Sequence, residues 1–163
     1  MKKAHISHLS LALAAACCLI CSAIAADNKL SPAMTGNWNG QAKIIVAWCK
    51  QDKLPLKLTI NGDRTVTGTI GDATLKDGKL ARNRGWIGRK LNIKTDYVIT
   101  GRLEGEIVAA EKISRSSVSI PLNFQNGSFT GGLHTSGSKL GGKKAMKLSA
   151  SGLKLDRSSG SKP

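Results

Sequence analysis

The segment Arg82-Asn83-Arg84-Gly85-Trp86-Ile87-Gly88-Arg89-Lys90 puts four cations and an indole into nine residues. Cationic groups beside an aromatic face suit a phosphate or sulfate with a stacking surface, so Arg82, Arg84, Trp86, Arg89 and Lys90 form the first candidate ligand site. The plainer alternative is a solvated hairpin turn with Trp86 packed on the core. A second candidate runs from Gly131 to Lys144, where small residues leave amides open to an anion and His134, Lys139, Lys143 and Lys144 add donors and charge. This is not a P-loop, because Lys144 stands where Ser or Thr should follow Lys143 and no helix is expected after it. A flexible Gly-rich loop is its plainer reading.

The residues that could catalyse are poorly arranged for it. Ser136-Gly137-Ser138-Lys139 matches Ser-x-x-Lys, but that pairing needs a helical turn to bring nucleophile and base together, and the glycines argue against a helix. His134 near Ser136 lacks an orienting partner and a Gly-x-Ser-x-Gly elbow. Glu104 and Glu106, two apart in a strand, would share a face as paired glycosidase carboxylates do, yet the surrounding cations would lower their pKa, the wrong direction for a general acid. An exposed charge pair is the simpler reading, and the chain reads as a binding protein with no catalytic residue assigned.

Compartment follows from the N-terminus. Met1-Lys2-Lys3 precedes an almost unbroken apolar stretch, Leu9 to Ile24, closed by Ala23-Ile24-Ala25, which predicts a bacterial signal peptide over residues 1–25. The stretch is short of the roughly 20 residues a membrane span needs. Lipoprotein processing at Cys17 is the alternative. Removal of residues 1–25 leaves 138 residues at net charge +13, destined for the periplasm or the outside of the cell. Only Cys49 and His134 then remain of their types, too few for a zinc site, and no metal or cofactor is expected. Cys49 follows Trp48 on the expected first strand at opposite parity, so one of the two faces inward; burial is the default and an intermolecular disulfide the alternative. Asn126-Gly127-Ser128 is a turn rather than a glycosylation site, given the bacterial signal.

The elements that must position these residues read as strands. A polar leader over 26–35 passes over one end of the fold. Leu54, Leu56, Leu58 and Ile60 recur at period two, Asn61-Gly62-Asp63 turns the chain, and Thr65 to Ile70 resumes the alternation, which predicts a hairpin with the leucines on one buried face. Asp77-Gly78 reads as another turn, followed by a strand through Leu91 and Ile93 and one from Tyr97 to Leu103. Val118, Ile120, Leu122 and Phe124 alternate up to a turn at Asn126-Gly127, after which Phe129 to Leu133 returns. Met146, Leu148 and Ala150 alternate again, and the change of phase to Leu153 and Leu155 predicts a bulge at Gly152. Glu106 to Ile113 fits either a helical turn or a strand. These runs predict an all-β fold of about 8–10 antiparallel strands over 36–156, an up-and-down barrel in preference to a sandwich, with a disordered tail over 157–163.

Gly36-Asn37-Trp38 at the first strand and Thr95-Asp96-Tyr97 between two later ones resemble lipocalin signatures. The resemblance implies a calycin-type barrel in which Trp38 plugs one end, Thr95-Asp96-Tyr97 lies in a turn nearby, and an arginine, either Arg102 or Arg157, closes over the plug. It also implies a cavity for a small ligand. Two binding readings follow: a cup for a small apolar or anionic lipid-like molecule of the envelope, or a surface that contacts polyanions such as lipopolysaccharide, acidic polysaccharide or a membrane surface. Charge favours the second, since seven cations and one acid lie from Lys139 to the end. Nucleic acid fits the charge but neither the exported address nor the scarcity of aromatics. A purely structural envelope barrel is the remaining alternative.

Overall fold

A computed structural model describes residues 30–46, 49, 51–83, 95–108, 113–139 and 147–158, with backbone alone at 113–116 and 138–139. Eight strands occupy them: β1 (Gly36–Ile44), β2 (Lys53–Ile60), β3 (Thr65–Ile70), β4 (Ala73–Arg82), β5 (Tyr97–Glu104), β6 (Ile113–Gln125), β7 (Ser128–Lys139) and β8 (Leu148–Arg157). Each pairs antiparallel with its sequence neighbours, and β8 closes on β1. The result is an up-and-down barrel, which leaves no sheet edge exposed and excludes the sandwich.

Period two decides what lies inside. Leu54, Leu56, Leu58 and Ile60 of β2 are buried between exposed Lys53, Pro55 and Lys57. Ile99, Ile120, Leu122, Leu133 and Leu155 complete the same apolar interior from the far wall. Outward positions carry Lys, Thr, Asn and Ser, the reverse of a barrel that spans a bilayer, whose outer face must be apolar.

Two irregularities re-aim strands. In β8, Ser151-Gly152 inserts a residue against both β1 and β7, and Gly152 sits at φ +63°. Leu148 and Ala150 therefore face inward before the bulge and Leu153 and Leu155 after it. Asp77-Gly78 is likewise a bulge and not the expected turn. The chain turns earlier, at Gly71-Asp72, and β4 runs on through Asp77 at φ +52° while the register shifts against both β3 and β5. A Cβ on Gly78 would lie 2.2 Å from the Val66 carbonyl oxygen, so the neighbouring strand's approach requires glycine there. Asp-Gly serves turns and bulges for the same reason, its tolerance of positive φ, and only the pairing partners separate the two.

Strand direction sorts the connections between two ends. The near end holds the 3-10 turn Pro32–Met34, the β2–β3 turn, the β4–β5 connection 83–96 and the β6–β7 turn at Asn126-Gly127. The far end holds the β1–β2 connection 45–52, the Gly71-Asp72 turn, the β5–β6 connection 105–112 and the β7–β8 connection 140–147. Of the segment read as helix or strand, Ile107 and Val108 are buried at the far end and Ile113 opens β6. The expected strand through Leu91 and Ile93 lies outside the described residues, as does the signal segment.

Candidate functional site

At the near end, Trp38 is 1% exposed and makes edge-on contacts with Phe124 and Phe129, at centroid separations of 6.1 and 4.7 Å. Its indole Nε1 donates to the Met34 carbonyl at 3.2 Å, so the polar edge of the ring is satisfied by the 3-10 turn that crosses this end. Arg157, the last residue of β8, lies with its guanidinium carbon 5.8 Å from the indole centroid. Its Nη2 donates to the Pro32 carbonyl at 3.0 Å and to the Thr35 carbonyl. Arg157 thus ties the last strand to the leader over the tryptophan, and the strand pairing runs into what composition assigned to the tail. Arg102, the other arginine considered for that place, sits on the outer wall and donates from Nε to Asp77 at 2.9 Å. The leader contributes Leu30 and Met34, both buried, and Leu30 N–H donates to the Gly62 carbonyl at 3.3 Å.

Arg82 and Lys139, the described cations of the two basic segments, do not converge. Arg82 ends β4 at the near end, exposed, whereas Lys139 ends β7 at the far end. Arg82 is level with Gly131 across the ladder, and the run of β7 from Gly131 to Lys139 spans roughly 25–30 Å, so the two cannot share one ligand of small-molecule size. Arg84, Trp86, Arg89 and Lys90 in one segment and Lys143 and Lys144 in the other lie outside the described residues. At the foot of the first segment, Asn83 donates from Nδ2 to Thr95 Oγ1 at 2.9 Å and from its backbone to Asp96 at 2.8 Å. Asp96 N–H in turn donates to Asn123 Oδ1 at 3.0 Å. Thr95 and Asp96 therefore form the bend into β5 at the same end as Trp38.

His134 is exposed on the outer face of β7. Across the ladder it stands between Ser119 and Ser149, with Nδ1 3.1 Å from Ser149 Oγ. Ser117 and Ser136 hydroxyls bond one another one rung away. These residues, with Lys147, line a shallow hollow of about 310 Å³. Sequence reasoning missed the serines because their meeting depends on register across three strands.

Glu104 and Glu106 do not share a strand face. β5 ends at Glu104, and Gly105 at φ +96° breaks the extension before Glu106. Glu104 is paired with Lys76 at 3.3 Å, a surface ion pair. Cys49 is not on the first strand either, since β1 ends at Ile44; it lies half-buried in the β1–β2 connection, with Sγ 3.6 Å from the Gln51 carbonyl.

Inside the barrel the lining is unequal. β2 to β6 turn in chiefly leucine, isoleucine and valine, whereas Ala42 of β1, Thr135 and Gly137 of β7 and Ala150 of β8 place small residues together on one side. Thr135 is the one buried polar side chain among the described residues. These positions lie in the half of the barrel away from Trp38, where Ile107 and Val108 fold inward from the β5–β6 connection and Asp72 N–H donates to the Ile107 carbonyl at 3.3 Å. The chain matches no family model, no curated protein and no solved structure.

Proposed function

We propose that this chain is an exported, non-enzymatic binding protein of the bacterial envelope, a calycin-like barrel that takes a small apolar or lipid-like molecule through the end opposite Trp38. The observation that carries the reading is the unequal lining. Small residues at Ala42, Thr135, Gly137 and Ala150 cluster on one side of the interior, where the chain spends less side-chain volume than on the leucine- and isoleucine-lined wall. Entry from the near end is blocked by Trp38, Arg157 and the 3-10 turn, so the far end is the way in. The resemblance of Gly36-Asn37-Trp38 and Thr95-Asp96-Tyr97 to lipocalin signatures supports the same use of the barrel.

Ala150→Phe tests this. A cavity beside Ala150 accommodates the ring, so the variant keeps its thermal stability but loses binding of the neutral apolar probe N-phenyl-1-naphthylamine, which the wild type binds independently of salt. In a packed interior the same change overpacks the core at about 1–3 kcal/mol. That loss, with no probe binding by the wild type, would leave a structural envelope barrel. Polyanion binding is the second reading, favoured by the cation-rich segments at both ends. It predicts an anionic ligand in native mass spectra of the host-purified protein that a high-salt wash removes.

A further inference from the structure

The outward side chains of β1 are Asn37, Asn39, Gln41 and Lys43, all polar, and the next position on that face is Ile45 at the far rim. Ile45 is 57% exposed, the one large apolar side chain so exposed among the described residues. Its position is held by the backbone. Ile45 N–H donates to the Ser149 carbonyl at 3.0 Å and Ile44 N–H to the Asp52 carbonyl at 2.9 Å, so strand geometry persists to the rim and presents the side chain outward. By sequence, Ile45 belongs to the six-residue apolar run Ile44 to Cys49, which includes Trp48 and is bracketed by Lys43 and Lys50.

Directly below Ile45, Lys43 and Lys53 are cross-strand partners on β1 and β2, both exposed. Like charges placed opposite one another repel, and the pairing gains nothing for the barrel alone. With Gln41, Asp52 and Gly152 the two lysines border a hollow of about 500 Å³, which the glycine of the β8 bulge leaves open on one side. Asp52 is the single acid there. Lys154, on the adjoining strand, is engaged by Asp156 at 3.3 Å. Lys147 adds an exposed cation at the same end, at the start of β8.

We infer that this rim is a membrane-docking face, with Ile45 entering the interface of an anionic lipid bilayer while Lys43 and Lys53 take the headgroup phosphates. Apolar contact and charge attraction add at a lipid surface, and neither alone gives stable binding. A second copy of the chain fits the rim less well, because apposing two Ile45 residues would also bring together both lysine pairs. The inference does not depend on the ligand proposed for the barrel interior.

The test is co-sedimentation of the processed full-length chain with vesicles. Binding to equal parts phosphatidylglycerol and phosphatidylcholine, but not to phosphatidylcholine alone, is expected, and it weakens with salt. Ile45→Asp, at an exposed position that leaves the core untouched, lowers vesicle affinity by about tenfold or more, and Lys43→Glu with Lys53→Glu does the same. Arg82→Ala, at the opposite end, leaves it unchanged. Equal binding by Ile45→Asp and wild type overturns the inference. So does an equal loss in Arg82→Ala, or an Ile45→Asp effect seen only as a change of oligomeric state in size-exclusion chromatography.

Discussion

The two ends of this barrel solve the same problem with different chemistry. At the near end the interior is covered by three aromatic rings packed edge to face, and the polar edge of the central one, Trp38, is bonded to the 3-10 turn that crosses it. Arg157 then joins the last strand to that turn. The Trp38 indole N–H and the Arg157 guanidinium both end on backbone carbonyls of the leader. At the far end, among the described residues, Ile107 and Val108 fold in from one connection, with lysines and an exposed isoleucine along the rim. Among the described residues, Trp38 and Arg157 are bonded to the leader at the near end, whereas the far end carries opposed lysines and an exposed isoleucine.

That contrast can be broken by substitution. The largest effect belongs to Trp38→Ala, which removes the ring that Phe124 and Phe129 pack against and strands the Met34 carbonyl; a loss of about 3–5 kcal/mol in chemical denaturation is expected. A loss below about 1 kcal/mol would mean the near end is not what holds the barrel shut. Arg157→Ala comes next, at about 1–2 kcal/mol, because it deletes two charge-assisted bonds and a cation–π contact at a partly solvated site. Arg157→Lys should recover only part of it, since a single ammonium cannot reproduce the planar fork. Equal stabilities for Ala and wild type would make the arginine a bystander.

The smallest effect is one of pH. Asp63 carries a carboxyl held below the ordinary carboxylate range by hydrogen bonds from the Thr65 hydroxyl and N–H, and Asp156 one lowered by the Ser128 hydroxyl and then by Lys154. Both stand at the near end, in the β2–β3 turn and beside the start of β7. A carboxyl depressed in the folded state contributes stability that is present above its unfolded pKa of about 3.9 and is lost as pH falls through the lower folded value. Melting temperature should therefore be level from neutral pH down to about pH 4 on account of these groups and decline below it. Asp63→Asn with Asp156→Asn should shallow that decline; an unchanged acid limb would show that other groups set it.

Several features were legible in the residues because they depend only on neighbours along the chain. The alternation of Leu54, Leu56, Leu58 and Ile60 places them on one face whatever they pair with, and Asn61-Gly62-Asp63 tolerates the turn that must follow. Even the bulge at Gly152 left a trace, since apolar parity changes across it. Asp77-Gly78 misled because its residues accept positive φ in either a turn or a bulge. Glu104 and Glu106 misled because their shared face assumed a strand that Gly105 ends.

Inward faces and net charge were determined by the sequence alone, and the all-β class with them, because side-chain period and turn propensity are local properties of the backbone. Tertiary structure decided that Arg157 rather than Arg102 covers Trp38, that His134 meets Ser149, and that Lys43 stands opposite Lys53. It also put Arg82 and Lys139 at opposite ends. Each of these depends on register and on how many strands lie between two residues before the barrel closes. A shift of one residue in pairing exchanges every partner while leaving the pattern of apolar positions in the sequence unchanged.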